Sequence, residues 1–281
     1  MTPRLTPFDT IVFDLDGTLY RGRTPIRGAA DALRSLRRSY ACRILSNNGA
    51  ATSASIAVRL GELGFEAAAE EIVTSADLVL DCVGDLRPRH VLVLTHGDLA
   101  HALSMRGHWI VDDASADLVV VGVDPGLSRQ RLVHALHACL HGATLVATNE
   151  DPVYPAADGW RPGAGAYVGL FRGMGFEPDR FCGKPDESAV RAALRSWRIE
   201  DSRRCLFVGD NLHADMVAAS RVGAQSVLVS TGLSTPGDAA SAPAPPDAVI
   251  ESVADLPGLL RGLDPQRKPR SRSPTTSSPH R

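Results

Sequence analysis

The sequence predicts an α/β protein built on parallel sheets, and three observations carry that prediction. Short β-branched apolar runs alternate with helical patterns along the chain, as βαβ units require. Most of these runs are continuously apolar rather than alternating, which suits strands buried on both faces. Carboxylates, amides and hydroxyls gather just past the ends of several runs, where an open parallel sheet binds its ligands.

Taken in order, the strand candidates are TIVF at 10–13, RIL at 43–45, HVLVLT at 90–95, LVVVGV at 118–123, TLVA at 144–147, CLFV at 205–208, SVLV at 226–229 and AVI at 248–250. Helical patterns fill the intervals at 29–38, 54–63, 76–83, 99–105, 129–141, 187–197 and 214–222. In the helix at 129–141, Leu132, Val133, Leu136 and Leu140 form the apolar stripe. His134, His137 and His141 then project to the opposite, solvent side and read as solvated rather than metal-binding. Gly163-Ala164-Gly165 reads as a helix opening or hinge, because a lone GxG is a weak phosphate signal. Residues 234–247, rich in Pro, Ala and Ser, read as a long exposed loop. Residues 264–281 are polar, Pro-rich and basic, and are expected to form a disordered tail.

A length of 281 residues allows about two domains. With 44% apolar and 22% charged residues, a wholly disordered or fibrous chain is excluded. The net charge of −2 gives no global footprint for nucleic acid or an anionic membrane. Of 30 basic residues only Lys184 and Lys268 are lysine, and against that arginine bias a retained lysine stands out. Five scattered cysteines form no CxxC pair, so neither a disulfide framework nor a thiolate zinc site is expected. Cys182 reads as a small apolar filler. No signal peptide or membrane span is recognisable, so a cytoplasmic protein is expected.

The chemistry concentrates where strands end. The first candidate runs into Asp14-Leu15-Asp16-Gly17, the second into Ser46-Asn47-Asn48, and a later one into Gly209-Asp210-Asn211 with Asp215 beyond. Asp14, Asp16 and Asp210 together would repel one another, and oxygen ligands at that density suit Mg2+. Magnesium also binds phosphate oxygens, so a phosphoryl group fits as the reacting part of a substrate. Asp14 can attack phosphorus, forming an aspartyl phosphate. Asp16 can protonate the leaving oxygen and later accept a proton from water. The Ser46 hydroxyl and the amides around Asn47 and Asn48 suit an anion. Lys184, just before a helix, offers a compact point charge to a phosphate oxygen.

DLDGTL, SNN, GKP and GDNLHAD in that order resemble the four motifs of the haloacid dehalogenase (HAD) superfamily of phosphohydrolases. The stretches after the second strand and before the lysine motif look like subfamily IIA, the branch of 4-nitrophenyl phosphate, phosphoglycolate, glycerol phosphate and pyridoxal phosphate phosphatases. The resemblance implies a Rossmann-like parallel-sheet core at 1–82 and 178–263, interrupted by an inserted α/β cap domain of C2 type at 83–177. It also implies Asp14 as nucleophile and metal ligand, and Asp16 as acid/base that ligates metal through its backbone carbonyl. Ser46 and Lys184 would hold phosphate, and Asp210 would bind magnesium. Asn211 and Asp215 would stand behind these, Asp215 orienting the metal-bound water or Lys184. In relatives the loop corresponding to 149–154 faces the substrate, which makes Tyr154 a contact candidate. Relatives acting on pyridoxal phosphate carry His at the Tyr154 position, which argues against that substrate.

The expected function is a magnesium-dependent phosphatase for a small phosphorylated metabolite, such as a sugar, polyol or cyclitol phosphate. A phosphotransferase or mutase, and a catalytically silent binding module, remain the alternatives. Nucleic-acid and membrane partners are not expected, and the resemblance suggests a homodimer through cap surfaces.

Overall fold

The computed structural model describes residues 5–84, 89–156 and 159–263. The basic tail predicted at 264–281 lies outside them. Six parallel strands form one sheet, in the order Ala248–Ile250, Gln225–Val229, Cys205–Gly209, Thr10–Phe13, Ala41–Ser46 and Ile72–Thr74. The chain starts in the middle, winds to one edge and returns to wind to the other. Its direction therefore reverses between Thr10–Phe13 and Cys205–Gly209, and the carboxyl ends flanking such a reversal are where open α/β sheets bind ligands.

A second parallel sheet is inserted between Ile72–Thr74 and Cys205–Gly209. Its five strands run in the order Arg180–Phe181, Thr144–Ala147, Leu118–Val121, His90–Leu94 and Trp109–Ile110. Arg180–Phe181 pairs with Thr144–Ala147, so this sheet continues past residue 177, where the sequence reading ends the inserted unit.

One apolar cluster joins the two sheets. Val12, Leu45 and Val73 from the first and Val91, Val120 and Val146 from the second pack with Leu78, Val79 and Val83 of the helix Ser75–Gly84. A second cluster lies on the far face of the first sheet, around Ile11, Phe13, Ile44 and Leu33. The second sheet has its own outer cluster, around Leu92, Val119, Val121 and Phe171. The central strands Thr10–Phe13 and Leu118–Val121 are buried on both faces, which is why they are apolar throughout.

Two readings need correction. The helix Arg129–Leu140 buries Ala135, Ala138 and Cys139, while Leu140 is 64% exposed. Leu132 packs against the same outer cluster, so the small residues form the buried face and the leucine stripe only borders it. His137 and His141 are exposed, and His134 contacts Gln130. The segment 234–247 is not wholly exposed, since Ala239 and Ala244 pack against Leu212, Met216 and Leu228. Gly163 precedes the helix Ala164–Gly173 and so opens it.

The loop after His90–Leu94 is pinned to the loop after Ala41–Ser46. Asp98 N–H donates to Ala50 O at 2.9 Å, and the Asp98 carboxylate accepts from Thr52 N–H at 3.0 Å. Between them Gly97 has φ +91°, and a β-carbon there would stand 1.9 Å from Ala50 O. Alanine thus meets both left-handed strain of about 1–2 kcal/mol and a backbone overlap. Gly97→Ala is expected to lower the melting temperature by about 5 °C or more, read by circular dichroism; an unchanged melting temperature contradicts this account of the joint.

Candidate active site

The carboxyl ends of the two sheets face a shared cavity of about 780 Å³. Asp14 follows Thr10–Phe13 directly, its N–H donating to Val208 O at 2.9 Å, which locks it beside the strand that delivers Asp210. Lys184 reaches in from the loop before the helix Glu187–Ser196. Its Nζ donates to Asp14 Oδ1 at 2.7 Å and to Asp215 Oδ1 at 2.6 Å, and the side chain is 3% exposed. Burial alone would lower the lysine's pKa. The charges of Asp14 and Asp215 outweigh it and push the ammonium well above its ordinary range.

Asp14, Asp210 and Asp215 each offer an oxygen within 4.8 Å of the others. Asp210 is fixed by Leu233 N–H, which donates to its Oδ2 at 2.6 Å, and Asp215 by Asn211 N–H at 3.0 Å. Asn211 caps the turn that follows, accepting from His213 and Ala214 N–H. Burial, with Lys184 opposing it, raises Asp14 to about 6. Burial and the neighbouring Asp14 charge raise Asp16 to about 7, and burial with Asp14 and Asp215 raises Asp210 well above the carboxylate range. These carboxylates crowd one ammonium, so the site favours taking up positive charge. An all-oxygen donor set in that state fits a hard divalent cation, and the residues present fit magnesium.

Ser46, Asn47 and Asn48 divide their work. Ser46 Oγ accepts from Asn48 N–H at 3.1 Å, a contact that does not use the hydroxyl hydrogen. The Asn48 side chain accepts from Ala50 and Ala51 N–H, shaping the turn into the helix Ser53–Glu62. Asn47 does something its sequence position does not announce: its side chain clamps the lysine loop. Its Oδ1 accepts from Lys184 N–H at 2.7 Å, and its Nδ2 donates to Lys184 O at 2.9 Å and to Asp151 Oδ2 at 2.7 Å. Tyr154 lines the cavity from the hairpin Val153–Ala156 and Gly159–Pro162.

Asp151 is the site residue that sequence reasoning did not single out. It is raised to about 7, chiefly by burial, and ties the second sheet to Asn47 and Asn211. The signal was present, because Asp151 lies just past a strand end as Asp14 does. His96 also lines the cavity, its Nδ1 2.7 Å from Val123 O.

The pattern of haloacid dehalogenase-like hydrolases matches residues 11–108, and a HAD-hydrolase-like pattern matches residues 181–256. An acid sugar phosphatase of Staphylococcus epidermidis is 31% identical over 242 residues, covering 85% of this chain and 93% of that protein. The chain belongs to the haloacid dehalogenase superfamily of hydrolases, subfamily IIA. A D-glycerol 3-phosphate phosphatase of Mycobacterium tuberculosis is 34% identical over 236 residues, covering 82% of this HAD hydrolase and 65% of that protein. Among solved structures, the p-nitrophenyl phosphatase from Archaeoglobus fulgidus superposes with a TM-score of 0.81 at 29% identity, covering 89% of this chain and 98% of that one. The M. tuberculosis glycerol phosphate phosphatase in complex with magnesium superposes with a TM-score of 0.77 at 32% identity, covering 89% and 77%.

The raised carboxylates set a pH dependence for the metal-free HAD hydrolase. Asp16 holds its proton more tightly folded, at about 7, than at its ordinary 3.8. Its contribution to stability is thus present in full below about 4 and is lost as pH rises through 7. Without metal, the melting temperature is expected to fall between pH 5 and pH 8. Saturating magnesium at pH 8 should restore about 5–10 °C, from roughly 2.7 kcal/mol at a hundredfold excess over Kd. A metal-free protein most stable at pH 8, or one indifferent to magnesium there, contradicts this electrostatic reading.

Proposed function

We propose that this HAD hydrolase is a magnesium-dependent phosphatase that cleaves a small phosphorylated metabolite, of the sugar, polyol or cyclitol phosphate class, through an aspartyl phosphate on Asp14. The observation that carries the reading is the buried Lys184 ammonium paired to Asp14 at 2.7 Å, beside the oxygens of Asp210 and Asp215. Relatives bearing the names acid sugar phosphatase and D-glycerol 3-phosphate phosphatase support the substrate class. The cavity also leaves room beyond a phosphate for a polar leaving group, against Thr95, His96 and Tyr154.

Asp14, Asp210 and the backbone carbonyl of Asp16 would hold the magnesium, which neutralises carboxylate and phosphate charge together. The Asp14 carboxylate attacks phosphorus, and the bond to the leaving oxygen breaks. Lys184, held by Asp14, Asp215 and the Asn47 clamp, presents its ammonium to a phosphoryl oxygen, and the Ser46 hydroxyl donates to another. Asp16, raised to about 7, is protonated enough near neutrality to donate to the leaving oxygen. It then accepts the proton of the water that cleaves the phosphoryl-aspartate, releasing phosphate and restoring Asp14. In this reading the inserted unit, about 83–177 with Arg180–Phe181 as its return strand, is a cap that excludes bulk water and selects the leaving group.

Phosphate release from 4-nitrophenyl phosphate is expected with magnesium and is expected to vanish with EDTA. Asp14→Asn should abolish turnover, and a variant keeping a tenth of the rate removes Asp14 as nucleophile. Lys184→Ala should cost on the order of 10²–10³-fold in kcat, and Asp16→Asn about 10²–10⁴-fold. Near-wild-type rates in either variant overturn the role assigned to that residue.

A further inference from the structure

The loop after His90–Leu94 brings Thr95, His96 and Asp98 to the cavity wall, and the first two spend their hydrogens on backbone carbonyls. Val123 O, just past the strand Leu118–Val121, accepts from His96 N–H at 3.0 Å and lies 2.7 Å from the ring Nδ1. A carbonyl can only accept. Nδ1 therefore carries the hydrogen of the neutral imidazole, and Nε2 is left as a lone-pair acceptor. Backbone and ring of His96 are held to one oxygen, which fixes how the ring stands. Thr95 Oγ1 lies 3.2 Å from Val123 O and 3.4 Å from His96 O, so its hydrogen is also turned onto a carbonyl. Toward a ligand that oxygen can then only accept.

Neighbouring polar side chains on this wall are already committed. The Asp98 carboxylate accepts from Thr52 N–H at 3.0 Å, from Thr52 Oγ1 at 2.9 Å and from Ser55 Oγ. Asn149 Nδ2 donates to Asn47 O at 2.7 Å, and its Oδ1 accepts from Asp151 N–H at 3.0 Å. By contrast, His96 is exposed along the cavity, and no hydrogen bond among the described residues engages its Nε2. The joint that pins Asp98 to Ala50 and Thr52 keeps the loop in place. The cationic donors lining the cavity, Arg23, Arg59 and Lys184, come from other segments. The His96 loop thus offers side-chain acceptors, which suit a ligand group that donates. An alcohol hydroxyl does so, and an alkyl group does not.

We propose that His96 Nε2, with Thr95 Oγ1 beside it, accepts a hydrogen bond from a hydroxyl of the leaving group, so that the cavity selects phosphate esters of polyols over esters of the same size that carry no hydroxyl. His96 is then a specificity-determining residue, and it takes no part in the phosphoryl transfer. A leaving group without a donor leaves these acceptors without the water they gave up, which is how a polar subsite discriminates. The leaving-group role rests on the phosphatase reading given above, whereas the preference for a hydroxylated ligand does not.

The test compares glycerol 3-phosphate with propyl phosphate, which has the same carbon chain and lacks the hydroxyls. Binding of each to the Asp14→Asn variant with magnesium is measured by calorimetry, which needs no turnover. Glycerol 3-phosphate is expected to bind about tenfold or more tightly, and adding His96→Leu is expected to cut that preference by about 3–10-fold, the share of one hydrogen bond. In the active enzyme, His96→Leu is expected to raise KM for glycerol 3-phosphate with little change in kcat, because the contact is made in ground and transition states alike. Equal binding of the two esters, no binding of either, or a preference that survives His96→Leu overturns the proposal. If the preference is found but the wild-type enzyme releases no phosphate from either ester or from 4-nitrophenyl phosphate with magnesium, the phosphatase reading has failed and the hydroxyl subsite stands.

Discussion

The Lys184 ammonium lies between two carboxylates, 2.7 Å from Asp14 and 2.6 Å from Asp215, almost wholly out of water. A buried ion pair contributes little net stability of its own, yet breaking it leaves an uncompensated charge at a cost of about 3–5 kcal/mol. The three groups come from three separate parts of the chain, so they can meet only if the first strand, the lysine loop and the turn after Cys205–Gly209 are all in place. That constraint makes the site a product of the whole first sheet. It also accounts for a lysine in a chain that otherwise uses arginine: the pocket between two carboxylates takes a compact ammonium, whereas a planar guanidinium needs a broader fork.

The winding order of the first sheet places Asp14 and Asp210 on neighbouring strand ends at the point of reversal, so acidic groups gather without any one loop being long. The second sheet brings Asp151, His96 and Tyr154 to the other wall of the cavity. Asn47 links both walls, since one side chain holds the backbone of Lys184 and the carboxyl of Asp151. Movement of the second sheet relative to the first would therefore be felt at the lysine. The shared cluster around the helix Ser75–Gly84 resists such movement.

Much of this was legible in the sequence because buried parallel strands leave continuous apolar runs and their ends carry the chemistry. Asp14, Ser46 and Asp210 could be found by that rule alone. Other elements were not found: Ile72–Thr74 runs straight into the helix Ser75–Gly84, Arg180–Phe181 is only two residues long, and the hairpin Val153–Ala156 with Gly159–Pro162 contains proline in both arms. The helix Leu256–Leu263 carries Pro257 and Gly258, breakers that its first turn tolerates. In Arg129–Leu140 the bulky residues border the buried face, which Ala135, Ala138 and Cys139 form. The Asn47 clamp depends on tertiary approach, which no local pattern encodes.

The account stands or falls on covalent chemistry at Asp14. During turnover of 4-nitrophenyl phosphate with magnesium, rapid quenching and borohydride reduction would convert an acyl phosphate at that carboxyl into a homoserine, detectable in the peptide spanning Asp14 and Asp16. The account predicts the reduced product at Asp14, with Asp16 unchanged. Turnover with both aspartates intact under these conditions, or reduction at Asp16 instead, would contradict it.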